Sequence, residues 1–381
     1  MRILLSAGEV SGDQHGAALL AALKERLPAL EVFGLGGDRC AAGGMRLLAH
    51  QKDLAIIGLV EALAKVRFAR RLIRELTTAA TAESVDAAVL IDSPDFHLPL
   101  ARRLVKAGIP VVFYVSPQVW AWRSGRAKTL ARLGRGVLTL FRFEKRWYDA
   151  RGLGERVTWV GHPLVDEAAR ELATPAPSAP EGRRRIVLMP GSRAGEIRKL
   201  LPLLRDAAAI LTARRSDLDI VLVKADSVPE SLLGEIAGDA LAGWTIVSGP
   251  HLALLAASDV LVVASGTATV EGLLAGIPMV VVYRVAPISY VLGKLLVKVP
   301  NVAMANILSD PGDGSQTVPE LIQRAATPER IAAEVVRFLS DPARAAETRR
   351  RLSLGREDLG PPGAPGRTAD AVLALIGKGR G

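Results

Sequence analysis

The sequence predicts an α/β protein made of two doubly wound domains. Strand-length apolar runs alternate with segments of helical periodicity along nearly the whole chain. A stretch rich in Pro and Ala, residues 174–185, interrupts this alternation once, and the alternation resumes directly after it. With 381 residues the chain is also longer than one hydrophobic core usually serves. Each half is therefore expected to form its own parallel sheet.

The first half contains six predicted strands. The first runs into the Gly-rich turn GEVSGD at residues 8–13, and a helix is expected over residues 14–26. The glycines of this turn do not match the GxGxxG fingerprint, which disfavours a dinucleotide. The predicted strands are residues 2–7, 32–35, 87–91, 110–115, 136–141 and 157–160.

The third strand ends in DSPDFH, residues 92–97. Ligands bind beyond the carboxyl ends of strands in open parallel sheets. A turn capped by Asp92 and stiffened by Pro94 explains part of this pattern, but it does not require Asp95. Asp95 is thus a candidate general base, with Phe96 expected to shield it from water. Asp92 is the competing candidate, although its position at the strand end suits a turn-capping role better. His97 would instead orient Asp95 or serve as the base itself.

Residues 56–76 predict a basic amphipathic helix, because apolar residues recur at helical spacing. One interpretation is an ordinary surface helix with a solvated basic face. The other is a surface that contacts anionic lipid head groups and acyl chains. The interleaved basic residues are Lys65, Arg67, Arg70, Arg71 and Arg74.

Two tryptophans, Trp120 and Trp122, lie in the loop after the fourth strand, close to several basic residues. They serve either as core packing or as a platform for a sugar.

The second half repeats the pattern with five predicted strands and a helix over residues 196–214. Two further helices are expected over residues 328–339 and 368–376. The predicted strands are residues 186–189, 220–223, 244–247, 260–263 and 279–283.

Two loops of the second half suit a phosphate group. Gly191, Ser192 and Arg193 precede one helix, and residues 265–267 precede another. Arg193 offers a permanently charged, bidentate partner for a diphosphate, and Glu271 offers an acceptor for ribose hydroxyls. The alternative is an ordinary turn with Ser265 or Thr267 as N-cap and Glu271 completing a capping box. The P-loop pattern is absent, and no metal-ligand cluster accompanies either loop.

The composition limits the classes of partner that the protein is expected to bind. The net charge of +10 and the pI near 10 favour an anionic partner: nucleic acid, a phosphorylated substrate or an anionic membrane surface. Cys40 is the only cysteine, so no internal disulfide is expected, which fits a reducing cytoplasm. The N-terminus lacks the layout of a signal peptide, and no apolar run approaches the roughly 20 residues of a spanning helix.

Several motifs occur together in order along the chain. The first half carries GEVSGDQHGA (8–17), IDSPDF (91–96), YVSPQVWAWR (114–123), FEKRWYD (143–149) and VGHP (160–163). The second half carries MPGSRAGEI (189–197), SGTATVEGLLAGIPMVVVYR (265–284) and VPNV (299–302). In these motifs the chain resembles the lipid-A-disaccharide synthase family, inverting glycosyltransferases of the two-domain GT-B type. The resemblance runs nearly end to end.

The resemblance implies a reaction and roles for residues. UDP-2,3-diacylglucosamine would donate its sugar to 2,3-diacylglucosamine 1-phosphate, giving a β-1′,6-linked disaccharide phosphate and UDP with inversion. Asp95 would be the base and Arg193 would stabilise the diphosphate, with no cofactor and no metal. The UDP-sugar would be held by Gly191, Ser192, Arg193, Ser265, Gly266, Thr267, Ala268, Glu271 and Asn301. The acceptor or lipid would contact Glu9, Ser11, Gly12, Asp13, Trp120 and His162.

The resemblance also implies two Rossmann-like domains facing a cleft, followed by C-terminal helices. The acceptor-lipid domain would span residues 1–173, the linker 174–185 and the UDP-sugar domain 186–345. Residues 346–381 would pack back on the N-terminal domain or on a partner subunit, so a homodimer is left open. The expected partners are an acylated UDP-sugar, an acylated sugar phosphate and an anionic membrane, without nucleic acid. The expected location is cytoplasmic, peripheral on the inner face of the inner membrane.

Two departures from the family pattern and two rival functions accompany this interpretation. Arg142 stands where the family usually has Pro, and the segment after Asn301 lacks the usual Ala-Gly-Arg pattern. The rivals are another UDP-sugar enzyme of the same fold, such as a 2-epimerase, and a non-catalytic protein that binds lipid or nucleotide sugar. The motifs IDSPDF and VSPQVWAWR argue against the first rival, and the joint presence of Asp95 and Arg193 argues against the second.

Overall fold

The computed structural model describes residues 1–55, 62–175, 178–285, 299–310 and 312–377. The chain divides into two compact units. Unit 1 comprises residues 1–163 together with the C-terminal segment from Asp358, and unit 2 comprises residues 164–357. The chain therefore leaves unit 1 once and returns to it at the end.

Strands and helices alternate through both units, and they are numbered here in chain order. The strands are β1 (Arg2–Ala7), β2 (Glu31–Gly36), β3 (Arg46–His50), β4 (Ala87–Ile91), β5 (Val111–Tyr114), β6 (Gly136–Thr139), β7 (Val157–Trp159), β8 (Arg184–Met189), β9 (Leu218–Lys224), β10 (Thr245–Ser248), β11 (Val260–Ala264), β12 (Met279–Tyr283) and β13 (Glu320–Ile322). The helices are α1 (Val10–Arg26), α2 (Asp38–Ala42), α3 (Gln51–Ala55), α4 (Ala62–Ala82), α5 (Pro94–Lys106), α6 (Arg126–Leu133), α7 (Arg142–Asp149), α8 (Leu164–Glu171), α9 (Ala194–Arg214), α10 (Glu230–Ala237), α11 (Leu252–Ala256), α12 (Ala268–Ala275), α13 (Met304–Leu308), α14 (Pro328–Ser340), α15 (Pro342–Gly355) and α16 (Ala364–Gly377).

Unit 1 is built on a parallel sheet of order β3-β2-β1-β4-β5-β6-β7 within the described residues. All five residues of β4 are fully buried, as expected for a central strand covered by helices on both faces. The edge strand β3 was not predicted from the sequence. Its residues are half-buried or exposed, so it lacks the continuous apolar run that marks the inner strands.

Helices cover both faces of this sheet. One core includes Leu72, Ile73 and Leu76 from α4, and the other includes Leu19 and Leu23 from α1. The second core is completed by residues from the far end of the chain. Helix α16 contributes Ala369, Val372 and Ile376 to it.

Two helix predictions change in the structure. Helix α1 begins at Val10 and not near residue 14, so the turn after β1 is reduced to Gly8 and the N-cap Glu9. The predicted basic helix 56–76 corresponds to α4 from Ala62 onward. Its residues Ile56, Ile57, Leu59 and Val60 lie outside the described residues.

Unit 2 is built on a second parallel sheet of order β10-β9-β8-β11-β12-β13, again within the described residues. Its inner strands each carry a buried apolar run, and β11 is buried along its whole length. The three-residue edge strand β13 was not predicted, because it is too short to show a period.

Candidate functional site

The strand order places a switch point in unit 1 between β1 and β4. Strand β1 pairs with β2 on one side and with β4 on the other, so the loops after β1 and β4 leave neighbouring strands at the same edge. Such a point is where open parallel sheets bind ligands. The two loops are in close contact, because a Cβ added to Gly8 would lie 2.6 Å from Oγ of Ser93. The motifs GEVSGD and IDSPDF therefore meet at this edge.

The backbone of this edge is strained. Asp92 and Ser93 follow β4 with φ of 51° and 45°, and Val115 and Arg123 flank the loop after β5 with φ of 59° and 52°. Non-glycine residues rarely adopt positive φ, and a β-branched residue does so least. Of the six non-glycine residues with positive φ in the described part of the chain, four lie in these two loops. Strain of this kind concentrates at functional sites.

Asp95 lies in the first turn of α5, directly after the strained turn and Pro94. Its side chain is 70% exposed, and Oδ1 accepts hydrogen bonds from Nη2 of Arg126 and Nη1 of Arg123. Both guanidinium groups also lie over the ring of Trp122, at 5.7 and 4.6 Å from its centroid. The expected shielding by Phe96 is wrong. Phe96 is buried in the core, because the helix turns it inward while Asp95 faces solvent.

His97 is fully buried behind this edge. Its Nε2 lies 2.8 Å from Oγ of Ser6, and its Nδ1 lies 2.6 Å from the carbonyl oxygen of Asp92. Burial lowers the pKa of His97 to about 4, so the ring is neutral at physiological pH. Nδ1–H then donates to Asp92 and Nε2 accepts from Ser6. Both nitrogens are engaged inside the unit, which argues against His97 as the base and against a direct role in orienting Asp95.

Trp120 is anchored by a buried carboxyl group. Oε1 of Glu144 accepts a 3.2 Å hydrogen bond from Nε1 of Trp120, and Oε2 accepts from the backbone N–H of Phe141 at 3.3 Å. The ring of Phe143 packs edge-on against Trp120, with 5.0 Å between ring centroids. Burial raises the pKa of Glu144 to about 8. The indole is thus half-buried and fixed, which combines packing with a surface available to a ligand.

Two residues assigned to the acceptor support the fold from inside. Asp13 is buried, and its carboxylate accepts from the backbone N–H groups of Gly37, Arg39 and Cys40. His162 is buried against the rings of His15 and Phe141. Neither side chain lies at the surface where a bound lipid would contact it.

The three other residues of that set lie at the start of α1. Glu9 is exposed at the N-cap of α1, Ser11 is half-buried and Gly12 is buried.

Unit 2 has its own switch point, between β8 and β11. Strand β8 pairs with β9 on one side and with β11 on the other, and Met189 stands opposite Val263 in the register. The loops that follow these two strands are the two phosphate-loop candidates. The structure therefore brings Gly191–Arg193 and Ser265–Thr267 to one edge of the sheet.

An internal carboxylate occupies the first of these loops. Oε2 of Glu196 accepts from the backbone N–H groups of Ser192 and Arg193 at 3.1 and 3.4 Å, and Oε1 accepts from Nη1 of Arg193 at 3.1 Å. Gly191 has φ of 114°, and a Cβ there would lie 2.5 Å from Glu196 Oε2. The loop thus already binds an anion with its own backbone donors, and Arg193 is 62% exposed.

The second loop leads into α12 without a side-chain cap. Thr267 is the N-cap and makes no side-chain capping bond. Glu271 pairs instead with His251, whose Nε2 lies 3.3 Å from Oε2 of Glu271. The capping interpretation of Glu271 is therefore wrong. Ser265 and Ala268 are half-buried, whereas Gly266 and Thr267 are exposed.

Asn301 is 2% exposed, and its Oδ1 accepts from Nε2 of Gln316 at 3.3 Å. Sequence reasoning missed its neighbour Asn306, which is fully buried. Asn306 accepts from the N–H groups of Thr317 and Val318 and donates to the carbonyl of Val318 and to Glu320. The Asn306 network holds the segment that departs from the family pattern, and Asn301 contacts the same segment through Gln316.

No group of three or more His, Cys, Asp or Glu residues with a metal-binding arrangement occurs in the described ranges. No helix in this same part of the chain is long and apolar enough to cross a membrane.

Known proteins similar in structure share the architecture. The UDP-GlcNAc 2-epimerase from Neisseria meningitidis superposes with a TM-score of 0.65 at 11% identity, covering 99% of this chain and 100% of that chain. The calicheamicin glycosyltransferase CalG4 superposes with a TM-score of 0.63 at 15% identity, covering 99% and 98%. At these identities the likeness shows the fold alone, which is the GT-B architecture of two Rossmann-like sheets.

Sequence similarity is far closer to another group. The family described as lipid-A-disaccharide synthetase matches residues 3–365. The lipid-A-disaccharide synthase of Myxococcus xanthus is 41% identical over 388 residues, covering 100% of this chain and 98% of that protein. The enzyme of the same name from Geobacter sulfurreducens is 38% identical over 381 residues, covering 99% and 98%. The chain therefore belongs to the lipid-A-disaccharide synthase family of glycosyltransferases.

Proposed function

We propose that the chain transfers 2,3-diacylglucosamine from UDP-2,3-diacylglucosamine to 2,3-diacylglucosamine 1-phosphate. The products are the β-1′,6-linked disaccharide 1-phosphate and UDP. The full-length family match carries this proposal, and it is supported by the position of the family motifs at the switch points of both sheets.

The proposal is tested by measuring UDP release from the acylated donor with and without the acceptor lipid. Release that requires the acceptor supports a transferase. Release without acceptor indicates a hydrolytic relative. Conversion of the donor into another UDP-sugar without net release indicates an epimerase, and binding with neither release nor conversion indicates a non-catalytic relative.

In this proposal unit 2 holds the UDP portion of the donor. The diphosphate binds the backbone N–H groups of Ser192 and Arg193 and the Arg193 guanidinium, beside Gly191. Because Glu196 occupies these donors, the diphosphate has to displace its carboxylate. The residues of the second loop, Ser265, Gly266, Thr267 and Ala268, face the nucleotide from the next strand. Glu271 receives the ribose hydroxyls, while Asn301 supports the neighbouring segment.

In unit 1, Asp95 accepts the proton of the acceptor 6-hydroxyl as that oxygen attacks the anomeric carbon of the donor. The bond between the anomeric carbon and the diphosphate oxygen breaks, and the electron pair leaves with UDP. Arg193 and the N–H groups of its loop stabilise the charge that develops on the diphosphate. One attack from the face opposite the leaving group inverts the anomeric configuration. Arg123 and Arg126 hold the Asp95 carboxylate in one orientation before the reaction.

The residues at the start of α1 and Trp120 are proposed to contact the acceptor lipid. Glu9, Ser11 and Gly12 lie at the edge that also carries Asp95, and Trp120 lies in the strained loop after β5. Asp13 and His162 are buried and support this edge from inside unit 1.

We further propose that α4 contributes to docking on the cytoplasmic face of the inner membrane. Arg67, Arg70, Arg71 and Arg74 are exposed. The apolar face of α4 from Leu72 onward packs into the core of unit 1, so that part is not available to acyl chains. Docking through this helix therefore rests on its arginines and on the exposed Val66.

A further inference from the structure

We propose that His251 is a positioning residue that fixes the carboxylate of Glu271 for the ribose of the nucleotide. The inference rests on the proposed function, in which Glu271 receives the ribose hydroxyls. His251 was not singled out by the sequence. It precedes α11, twenty residues before its partner, and only the fold brings the two together.

The contacts of the imidazole define its protonation. Nε2 lies 3.3 Å from Oε2 of Glu271, and Nδ1 lies 2.9 Å from the carbonyl oxygen of Gly249. A carbonyl oxygen and an ionised carboxylate only accept hydrogen bonds, so both ring nitrogens have to carry a proton. The geometry therefore favours the imidazolium form of His251. The contact between His251 and Glu271 is then a charge-assisted hydrogen bond.

The surroundings of the ring agree with this charge. Two carboxylates face His251: Glu271 from α12 and Glu171 from α8. Oε2 of Glu171 accepts from the backbone N–H groups of His251 and Leu252, which fixes the start of α11. Burial lowers the pKa of His251. The hydrogen bond and charge of Glu271, the Gly249 carbonyl and the charge of Glu171 outweigh it and raise that pKa to about 9.

His251 and Glu271 are also largely shielded from solvent. The side chains of His251 and Glu271 are each 19% exposed, so solvent screens their interaction less than it screens a surface ion pair. One oxygen of Glu271 is engaged by His251, which restricts the orientations open to the carboxylate. The ribose hydroxyls would then be received by Oε1. A carboxylate held in this way disfavours a nucleotide that lacks one of those hydroxyls, because the half-buried acceptor would lose its donor.

The experiment compares the binding of UDP and 2′-deoxy-UDP to four proteins by calorimetry. These are the unmodified chain, His251→Ala, His251→Gln and Glu271→Gln. His251→Ala is expected to bind UDP about tenfold more weakly and to lose most of the preference for UDP over its deoxy analogue. His251→Gln should recover part of the preference, because its amide N–H can still donate to Glu271. In turnover, the KM for the donor should rise while kcat changes little.

A pH series separates positioning from mere structural support. The unmodified chain should lose affinity for UDP as the pH rises through about 9, because the imidazolium loses its proton. His251→Ala should lack that step. The uracil ring also titrates at high pH, so the comparison is made between variants and not between pH values alone.

Three outcomes are decisive. An unchanged preference and an unchanged pH profile in His251→Ala would overturn the positioning role. Normal binding and normal preference in Glu271→Gln would show that the ribose assignment itself is wrong. Failure of the unmodified chain to bind UDP would refute the proposed function, independently of His251.

Discussion

Oδ1 of Asp95 accepts a 2.5 Å hydrogen bond from Nη2 of Arg126, and the two residues lie 31 positions apart in the sequence. The carboxylate is 70% exposed, so this ion pair contributes little to stability. Its effect is to hold the carboxylate against α6, at the edge where the loops after β1 and β4 meet. The pair joins the proposed base to Arg126, one of the basic residues that closely follow Trp122 in the sequence.

Asp95→Asn is expected to lower kcat by about 10²–10⁴-fold, because the amide cannot accept the proton of the acceptor hydroxyl. UDP affinity should stay the same, since the nucleotide is proposed to bind unit 2. Steady-state kinetics and calorimetry check the two parts. Asp149→Asn, which alters another ion-paired carboxylate of unit 1, serves as the control. Near-normal turnover in Asp95→Asn would remove Asp95 from the mechanism.

Arg126→Ala should lower kcat by about 10- to 100-fold while the melting temperature changes little. The remaining contact from Arg123 holds Asp95 less firmly, so the base reaches its working position less often. Arg126→Lys keeps the charge and should recover part of the loss. If both variants are equally impaired and also unfold at lower temperature, the residue supports the fold and not the base.

Arg193→Ala and Glu196→Gln are expected to change UDP affinity in opposite directions. Loss of the guanidinium should weaken binding by about 1.5–3 kcal/mol, the range for a hydrogen bond to a charged group. Neutralising Glu196 removes the anion that occupies the diphosphate donors and should tighten binding by about 1 kcal/mol. Calorimetry measures both. Weaker binding in Glu196→Gln would mean that the carboxylate stabilises the loop more than it competes.

Replacing Arg67, Arg70 and Arg74 together by Ser should weaken cosedimentation with anionic vesicles by roughly 1 kcal/mol per residue. Arg71 is left out of the set because it is paired with Glu75 at 2.7 Å. The matched control removes three exposed basic residues from α5: Arg102, Arg103 and Lys106. Binding should also fall as salt rises. An equal loss of vesicle binding in both triple variants would indicate that the net charge of the protein causes the binding. No loss in either variant would exclude α4 as the docking surface.

Unit 1 is expected to lose stability as the pH falls from about 6.5 to about 4.5. Burial lowers the pKa of His15 and His97 to about 4 and that of His162 well below 6.5. The unfolded chain binds protons in this window that the folded chain does not, which costs about 1.4 kcal/mol per pH unit for each histidine. Glu144 acts in the opposite direction, because its pKa is raised to about 8 and the folded chain keeps its proton in this window. Its contribution to the pH dependence offsets that of one of the three histidines.

Urea unfolding followed by tryptophan fluorescence measures this slope, since four of the five tryptophans lie in unit 1. A net loss of about 3 kcal/mol per pH unit is expected. In His97→Gln the slope of the unfolding free energy against pH should fall by about 1.4 kcal/mol per pH unit, the contribution of one histidine. A midpoint that stays constant between pH 7 and pH 5 would contradict the neutral, buried state of these rings.

The central strands were predictable because each is buried on both faces. Strands β4 and β11 are continuous apolar runs of five residues. Such short, uninterrupted runs are typical of strands that are covered on both faces. The edge strands β3 and β13 were missed because neither has a buried run of its own. The start of α1 was misplaced because Ser11 and Gly12, which favour turns, occupy its first turn.

The site was predictable to the level of its loops, but its side-chain partners were not. Strand ends and small-residue turns mark Asp95 and Arg193 in the sequence. Whether Asp95 or His97 faces solvent depends on how α5 rotates against the sheet, and the spacing alone does not fix that rotation. The pairs between Asp95 and Arg126 and between His251 and Glu271 join separate elements. Their formation depends on tertiary packing, which no local pattern encodes.

The return of α16 to unit 1 has a consequence for synthesis of the protein. Ala369, Val372 and Ile376 complete a core whose other members are translated before unit 2 begins. Arg26 also pairs with Asp370, and Arg367 donates to the carbonyl of Val160. During translation the part of α1 that contacts α16 therefore stays uncovered until α16 leaves the ribosome. Unit 2, which is contiguous in sequence, can fold first, so the N-terminal unit is expected to reach its native state last.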